Sequence, residues 1–170
     1  MIDIRFTDEM NRRNAARVID HLRQPRAYID TAADYGAAHE AWLGKIEAEL
    51  VSATRFALMA TDGRETAGVI VFRPEPNKPE TIGIRNISIK PAHKGQLFGS
   101  FALRTTERIA STLQPAARQI IVDTKTTNRD MIGFLHSQGY ADLETTDLYD
   151  SGKPDLVLAK DLSAITARNR

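Results

Sequence analysis

The chain has 170 residues, 42% of them hydrophobic and 26% charged, which suits one soluble domain with a single sizeable core. A formal net charge of +1 exerts no global pull toward nucleic acid or membrane. With no cysteine there can be no disulfide, no thiolate catalysis and no Cys-ligated metal, an inventory compatible with a reducing cytoplasm. The opening MIDIRFTDEMNRR has no apolar h-region, and no apolar run approaches the ~20 residues that span a bilayer. The expectation is a soluble, cytoplasmic protein.

In chain order, Ile2 to Phe6 alternates apolar and polar residues and predicts a short strand. Thr7 or Asp8 is placed to cap a helix running to about Arg23, with Ala16, Ile19 and Leu22 on its apolar side and Pro25 after it. Tyr35 to Val51 fits a second helix, because Ala38, Trp42, Ile46 and Leu50 recur every four residues. Phe56–Ala60 and Ala67–Phe72 flank an Asp62-Gly63 step, a strong hairpin signal. Pro74, Pro76 and Pro79 predict a loop. Ile82 to Ile89 reads as the next strand and Gln96 to about Leu113 as a helix. Its expected buried stripe is Phe98, Phe101, Ala102, Thr105, Ile109 and Leu113, and Pro115 closes it.

Gln119 to Asp123 predicts a buried strand, and Thr127 or Asn128 caps a helix that Gly139 stops. Leu143–Tyr149 and Asp155–Lys160 flank Ser151-Gly152-Lys153-Pro154 as a second hairpin. Residues 1–163 are expected to form the single domain, with a frayed polar tail at 164–170. The resulting order is β-α-α-β-β-β-α-β-α-β-β. It predicts an α+β, three-layer fold: a mixed, mostly antiparallel sheet flanked by helices. Only the passage from Ile82 to Asp123 needs a parallel crossover.

The stretch after the Ile82–Ile89 strand carries the chemistry. Pro91 leads through Lys94-Gly95-Gln96-Leu97-Phe98-Gly99-Ser100 straight into a helix. A helix start presents N–H groups without intrahelical partners at the positive end of its dipole, and glycine lets a ligand approach the backbone. Such a turn suits a phosphate or diphosphate, with Lys94 adding charge, although a plain connecting turn explains the same residues. The G-x-x-x-x-G-K-[ST] signature is absent, which argues against a nucleoside triphosphatase.

Ile87-Ser88-Ile89-Lys90-Pro91 followed by Lys94–Ser100 resembles the acyl-CoA loop of the GNAT superfamily of N-acyltransferases, R/Q-x-x-G-x-G/A after a strand. Asn128 to Tyr140, NRDMIGFLHSQGY, looks like that family's second motif, a helix opened by Asn and closed by Gly and an aromatic residue. The two lie at the family's usual separation, and the family's strand order matches the predicted one over nearly the whole chain. The resemblance implies acetyl-CoA as co-substrate, an amine-bearing acceptor, and direct attack of the amine in a ternary complex. It implies that the loop at Lys94, Gly95, Gln96, Leu97, Phe98, Gly99 and Ser100 holds the CoA diphosphate. Ile87 and Ile89 would pair through their backbone with pantetheine. The Ile87 N–H would polarise the thioester carbonyl, and Asn128 would contact pantetheine.

The sequence departs from the family pattern at several positions. Lys94 stands where Arg or Gln is usual, Leu97 where the first motif glycine is usual, and Leu135 where many members carry the tyrosine acid. Tyr140 and Tyr149 are then the candidate acids. At the usual place of the carboxylate base stand Gly83 and Arg85. Arg85 cannot accept a proton and reads instead as a ligand for a substrate carboxylate or phosphate. Asn86, Ser88, Glu80 and His39 are candidates for positioning a water or the substrate. His39-Glu40 begins a zinc H-E-x-x-H but lacks the second histidine, so no metal is expected. His93 reads as polar filler or a phosphate contact, and Asp123 and Lys125 as solvated.

The first helix is rich in arginine (Arg12, Arg13, Arg17, Arg23, Arg26) and the second in Asp30, Asp34, Glu40, Glu47 and Glu49. Two solvated faces that pair with each other explain this best. An RNA-facing helix is the sharper alternative, but the aromatic interleaving that would stack bases is missing. Two rival functions stand beside the leading one: acetylation of a charged transfer RNA, and a non-catalytic acyl-CoA sensor. A shared sheet edge at the last hairpin would suit a homodimer, by analogy with related folds.

Overall fold

A computed structural model describes residues 4–24, 38–63, 65–95, 98–148 and 152–163. The predicted Pro25 stop, the start of the second helix before residue 38, Tyr149, Ser151 and the 164–170 tail lie outside these residues. The elements in order are β1 (Ile4–Thr7), α1 (Arg12–Arg23), α2 (His39–Val51), β2 (Phe56–Asp62), β3 (Glu65–Glu75) and β4 (Lys78–Ile89). A 3₁₀ turn (Pro91–His93) precedes α3 (Phe98–Leu113), β5 (Gln119–Lys125), α4 (Arg129–Ser137), β6 (Ala141–Thr146) and β7 (Asp155–Asp161). This is the predicted order. The seven strands are hydrogen-bonded in the order β1-β2-β3-β4-β5-β7-β6. The β4/β5 pair is parallel, with Thr81 opposite Gln119, as the single crossover requires.

Two compact units divide the chain. The first comprises Met1–Arg73 and Asn86–Thr106. Its core forms where α1 and α2 bring Val18, Ile19, Leu22, Leu43, Ile46 and Leu50 onto Ala57, Met59, Val69 and Val71. The alternation of the strands supplies one face of that core and the helical stripes supply the other. Helix α1 starts at Asn11 rather than Thr7 or Asp8, because the Asn11 side chain accepts from the Asn14 N–H at 3.0 Å. Its apolar stripe includes Ala15 and Val18, and one polar residue, His21, is buried within it. Arg23 reaches Glu40 at 3.0 Å, so the basic and acidic helices do pair at their exposed faces.

The second unit comprises Pro74–Arg85 and Glu107–Arg170. β7 lies between β5 and β6, antiparallel to both, and β6 shifts register between Asp142 and Glu144. Asn128 caps α4, and Gly139 closes it: the Gly139 N–H donates to the His136 carbonyl and the Tyr140 N–H to that of Leu135.

Three local expectations are corrected. Pro74 is the last residue but one of β3 and Pro79 the second of β4, leaving only Pro76 and Asn77 as the turn. Proline is tolerated near strand ends, where its missing N–H breaks little of the ladder. In α3 the buried positions are Phe98, Ala102, Leu103, Thr106, Glu107 and Ala110, whereas Phe101 is 60% and Leu113 45% exposed. The expected stripe runs one residue early along the helix: it takes Thr105 and Ile109 where Thr106 and Ala110 are buried, and it lacks Leu103 and Glu107. Asp123 and Lys125 are not solvated: their side chains are paired with Arg85 and Asp155, respectively.

Candidate active site

In the first unit the backbone around Ser88 is fixed by β3. The Lys90 N–H donates to the Ala67 carbonyl at 2.8 Å, so the Lys90 main chain faces β3. Gly68 sits against Ser88: a methyl group on Gly68 would lie 2.8 Å from the Ser88 carbonyl oxygen and 3.0 Å from the Phe98 ring. Ser88 therefore also faces β3. Between antiparallel strands the N–H and C=O of one residue point the same way and those of the next point the other way. The N–H groups of Ile87 and Ile89 therefore point to the opposite edge of β4. The ladder to β5 ends at Ile84, opposite Val122, while β4 runs on to Ile89. That edge presents main-chain donors and acceptors past the end of the ladder, where an extended amide-bearing ligand can pair.

Gly68 is thus required by close approach. Gly68→Ala is expected to cost about 1–3 kcal/mol, as overpacking does, because strand backbone must shift. Urea unfolding measures this, and a loss below about 0.5 kcal/mol would mean that the β3/β4 contact relaxes freely.

Beyond β4, the 3₁₀ turn leads to Lys94 and to Gly95, whose φ of 74° lies where residues with a side chain are strained. Helix α3 then opens with Phe98, Gly99 and Ser100, whose N–H groups are among those without intrahelical acceptors. The Phe98 ring turns inward, 6% exposed, stacked at 5.8 Å on Phe6 and beside His93 at 6.1 Å. Only its amide is available to a ligand. Gln96 and Leu97 lie outside the described residues. His93 is buried rather than polar filler, with Nε2 3.8 Å from Asp62. The amides, Gly95 and the nearby Lys94 form an arrangement suited to a diphosphate.

The opposite face of β4 holds a group that the sequence reading missed. His21 of α1 is 1% exposed, and its Nε2 shares a 2.9 Å hydrogen bond with Ser88 Oγ. Burial, helped by the Lys90 charge, pushes the imidazole down to about 4, with the backbone of Thr66 and Ser88 pulling the other way. His21 is therefore neutral at pH 7. The unfolded chain, with its ordinary value of 6.5, binds a proton that the folded chain refuses. This contribution to stability is present above pH 6.5 and is lost as pH falls toward 4. The expected result is a fall in Tm over that window that is shallower in His21→Gln; equal slopes would show that His21 does not titrate on unfolding.

In the second unit Arg85 is held by two carboxylates, Glu75 at 2.5 Å and Asp123 at 2.9 Å. Its charge is matched within the protein, so the expectation of a substrate-binding Arg85 gives way to a structural one. Asn128 also works structurally: Oδ1 accepts from the Met131 N–H and Nδ2 donates to Thr124 Oγ1. Leu135 is fully buried. Tyr140 is 3% exposed and donates its hydroxyl proton to Glu107 Oε1 at 3.0 Å. Burial and the Glu107 charge raise its pKa far above the ordinary tyrosine range. A buried phenol whose proton is bonded to a carboxylate and whose pKa is raised does not give that proton to a leaving thiolate, so Tyr140 is withdrawn as the acid. Among the described residues no cluster of His, Asp or Glu could hold a metal ion, and no helix is long and apolar enough to cross a membrane.

The model of the Acetyltransferase (GNAT) family matches residues 15–140. The chain belongs to the GNAT family. Solved structures share its fold. A GNAT-family protein from Desulfovibrio desulfuricans superposes with a TM-score of 0.76 at 13% identity, over 95% of this chain and 100% of that one. The PaiA N-acetyltransferase of Thermoplasma acidophilum, in complex with coenzyme A, gives 0.70 at 16% identity, over 94% and 99%. An aminoglycoside 6′-N-acetyltransferase complexed with coenzyme A gives 0.70 at 16% identity, over 95% and 97%. No curated protein matches the sequence. The family match and the shared fold agree with each other.

Proposed function

We propose that the protein is an N-acetyltransferase that moves an acetyl group from acetyl-CoA to an amine by direct attack. The observation that carries this reading is the edge of β4, where the Ile87 and Ile89 main chain points away from β3 beyond the end of the β5 ladder. Two of the structural neighbours are complexes with coenzyme A, which supports the same ligand here. Acetyl-CoA supplies an acyl group activated as a thioester. Ile87 and Ile89 pair with the pantetheine arm, and the Ile87 N–H donates to the thioester carbonyl, stabilising the charge that grows on its oxygen. The first-turn amides Phe98, Gly99 and Ser100, with Lys94, Gly95, Gln96 and Leu97, hold the diphosphate. Asn86 and Ser88 position the amine or a water on the other face of β4.

The test is calorimetric titration of acetyl-CoA and of free CoA, followed by thiol release with a panel of amines. Binding with turnover supports the enzyme. Binding without turnover favours the acyl-CoA sensor, a reading motivated by Leu135 and by the missing carboxylate. Absence of binding removes both.

A further inference from the structure

We propose that His21 is a positioning residue for the acceptor amine, acting through Ser88; this rests on the acetyl-transfer reading above. His21 belongs to α1, whose buried stripe is otherwise Ala15, Val18, Ile19 and Leu22. An imidazole in that stripe forgoes the apolar packing of a leucine and must be hydrogen-bonded to be tolerated. Its partner is Ser88, 1% exposed, next to the residue whose N–H faces the proposed thioester. By the two-residue period of a strand, the Asn86 side chain shares the Ser88 face of β4.

Asn86 is 4% exposed, and its Oδ1 accepts no hydrogen bond among the described residues. A buried carbonyl oxygen without a donor is costly and rare in a folded protein. It fits a ligand that brings N–H groups, and a primary amine does so. A carboxylate or phosphate would set lone pairs against it. Asn86 Oδ1 thus receives an amine N–H, and the Ser88 hydroxyl, held by His21, fixes the direction in which the nitrogen lone pair points. His21 acts on this face through its bond to Ser88 and is neutral at pH 7, so it orients Ser88 rather than storing a proton. The acceptor class that follows is a primary amine with no anionic group beside the reacting nitrogen.

The experiment follows thiol release with acetyl-CoA and with kanamycin, spermidine or a lysine peptide as the amine, together with calorimetric Kd values for acetyl-CoA. His21→Phe and Ser88→Ala are each expected to lower kcat/KM for the amine about 10–100-fold, the scale of a small misplacement of a reacting group. The acetyl-CoA Kd stays within about threefold, and His21→Gln, which keeps a hydrogen-bonding group, recovers most of the loss. The double variant His21→Gln/Ser88→Ala is no worse than Ser88→Ala alone. Unchanged kcat/KM in His21→Phe overturns the proposal, as does a parallel loss of acetyl-CoA affinity, which marks a merely structural role. Should His21→Phe not fold, His21→Leu and its double with Ser88→Ala replace it, and a double loss equal to the product of the two single losses overturns the proposal equally. No thiol release from the wild type with any of the three amines removes the transfer reading itself, and this inference with it.

Discussion

Glu107→Leu is expected to destabilise the protein by about 3–5 kcal/mol, the range for removing one member of a buried ion pair. Glu107 of α3 has a side chain only 3% exposed, and Lys160 of β7 donates to both of its carboxylate oxygens at 2.9 Å. Tyr140 adds a third hydrogen bond at 3.0 Å, and the Lys160 ammonium lies 5.4 Å from the tyrosine ring. An exposed pair would contribute at most about 1 kcal/mol. Here the loss leaves a lysine and a phenol with nothing to bond. The drop in Tm should be on the order of 10 °C.

The triple variant Glu107→Leu/Lys160→Met/Tyr140→Phe removes every polar member and should regain most of the stability, since apolar replacement of a whole buried network is often neutral or better. A single-variant cost below about 1 kcal/mol would show that water already screens the pair. Tyr140→Phe alone leaves Glu107 and Lys160 together and should cost only about 1–2 kcal/mol. In the proposed acetyl transfer its rate of thiol release should remain within about threefold of wild type, because a phenol so placed makes no general-acid contribution.

Much of this was readable from periodicity and turn residues. The Asp62-Gly63 hairpin, the Asn128 cap, the Gly139 stop and the single parallel crossover follow from local rules that tertiary packing does not overrule. The buried polar groups were not readable that way. His21 and Glu107 occupy stripe positions where a pattern search accepts only apolar residues, and each is tolerated because of a partner far away in sequence, Ser88 or Lys160. Arg85 failed for the same reason: its charge seemed available until Glu75 and Asp123 were seen beside it. The spacing of His21 from Val18 held a usable signal, since i and i+3 share a helix face. A histidine on the apolar side of α1 implied either a partner or a role.

Gly99→Glu is expected to weaken CoA binding at least 100-fold while leaving the fold intact. Gly99 is the second residue of α3, half-buried, and its own N–H is one of the first-turn amides. The N–H groups and dipole at a helix start are suited to an anion because they place partial positive charge there without a counter-ion. A carboxylate at Gly99 would supply that anion from within the protein. A like charge about 5 Å from one phosphate, at an effective dielectric near 20, costs about 3 kcal/mol. That corresponds to roughly two orders of magnitude in Kd.

Gly99→Gln separates the effects, since it brings nearly the same bulk without the charge. Raising the salt should partly restore binding to Gly99→Glu but not to Gly99→Gln, because screening acts only on the charge. Calorimetric titration of CoA into the three proteins reads all of this directly. Unchanged affinity in Gly99→Glu, with clear binding by the wild type, would place the diphosphate away from α3. The Ile87 edge would then have to hold its ligand without the loop.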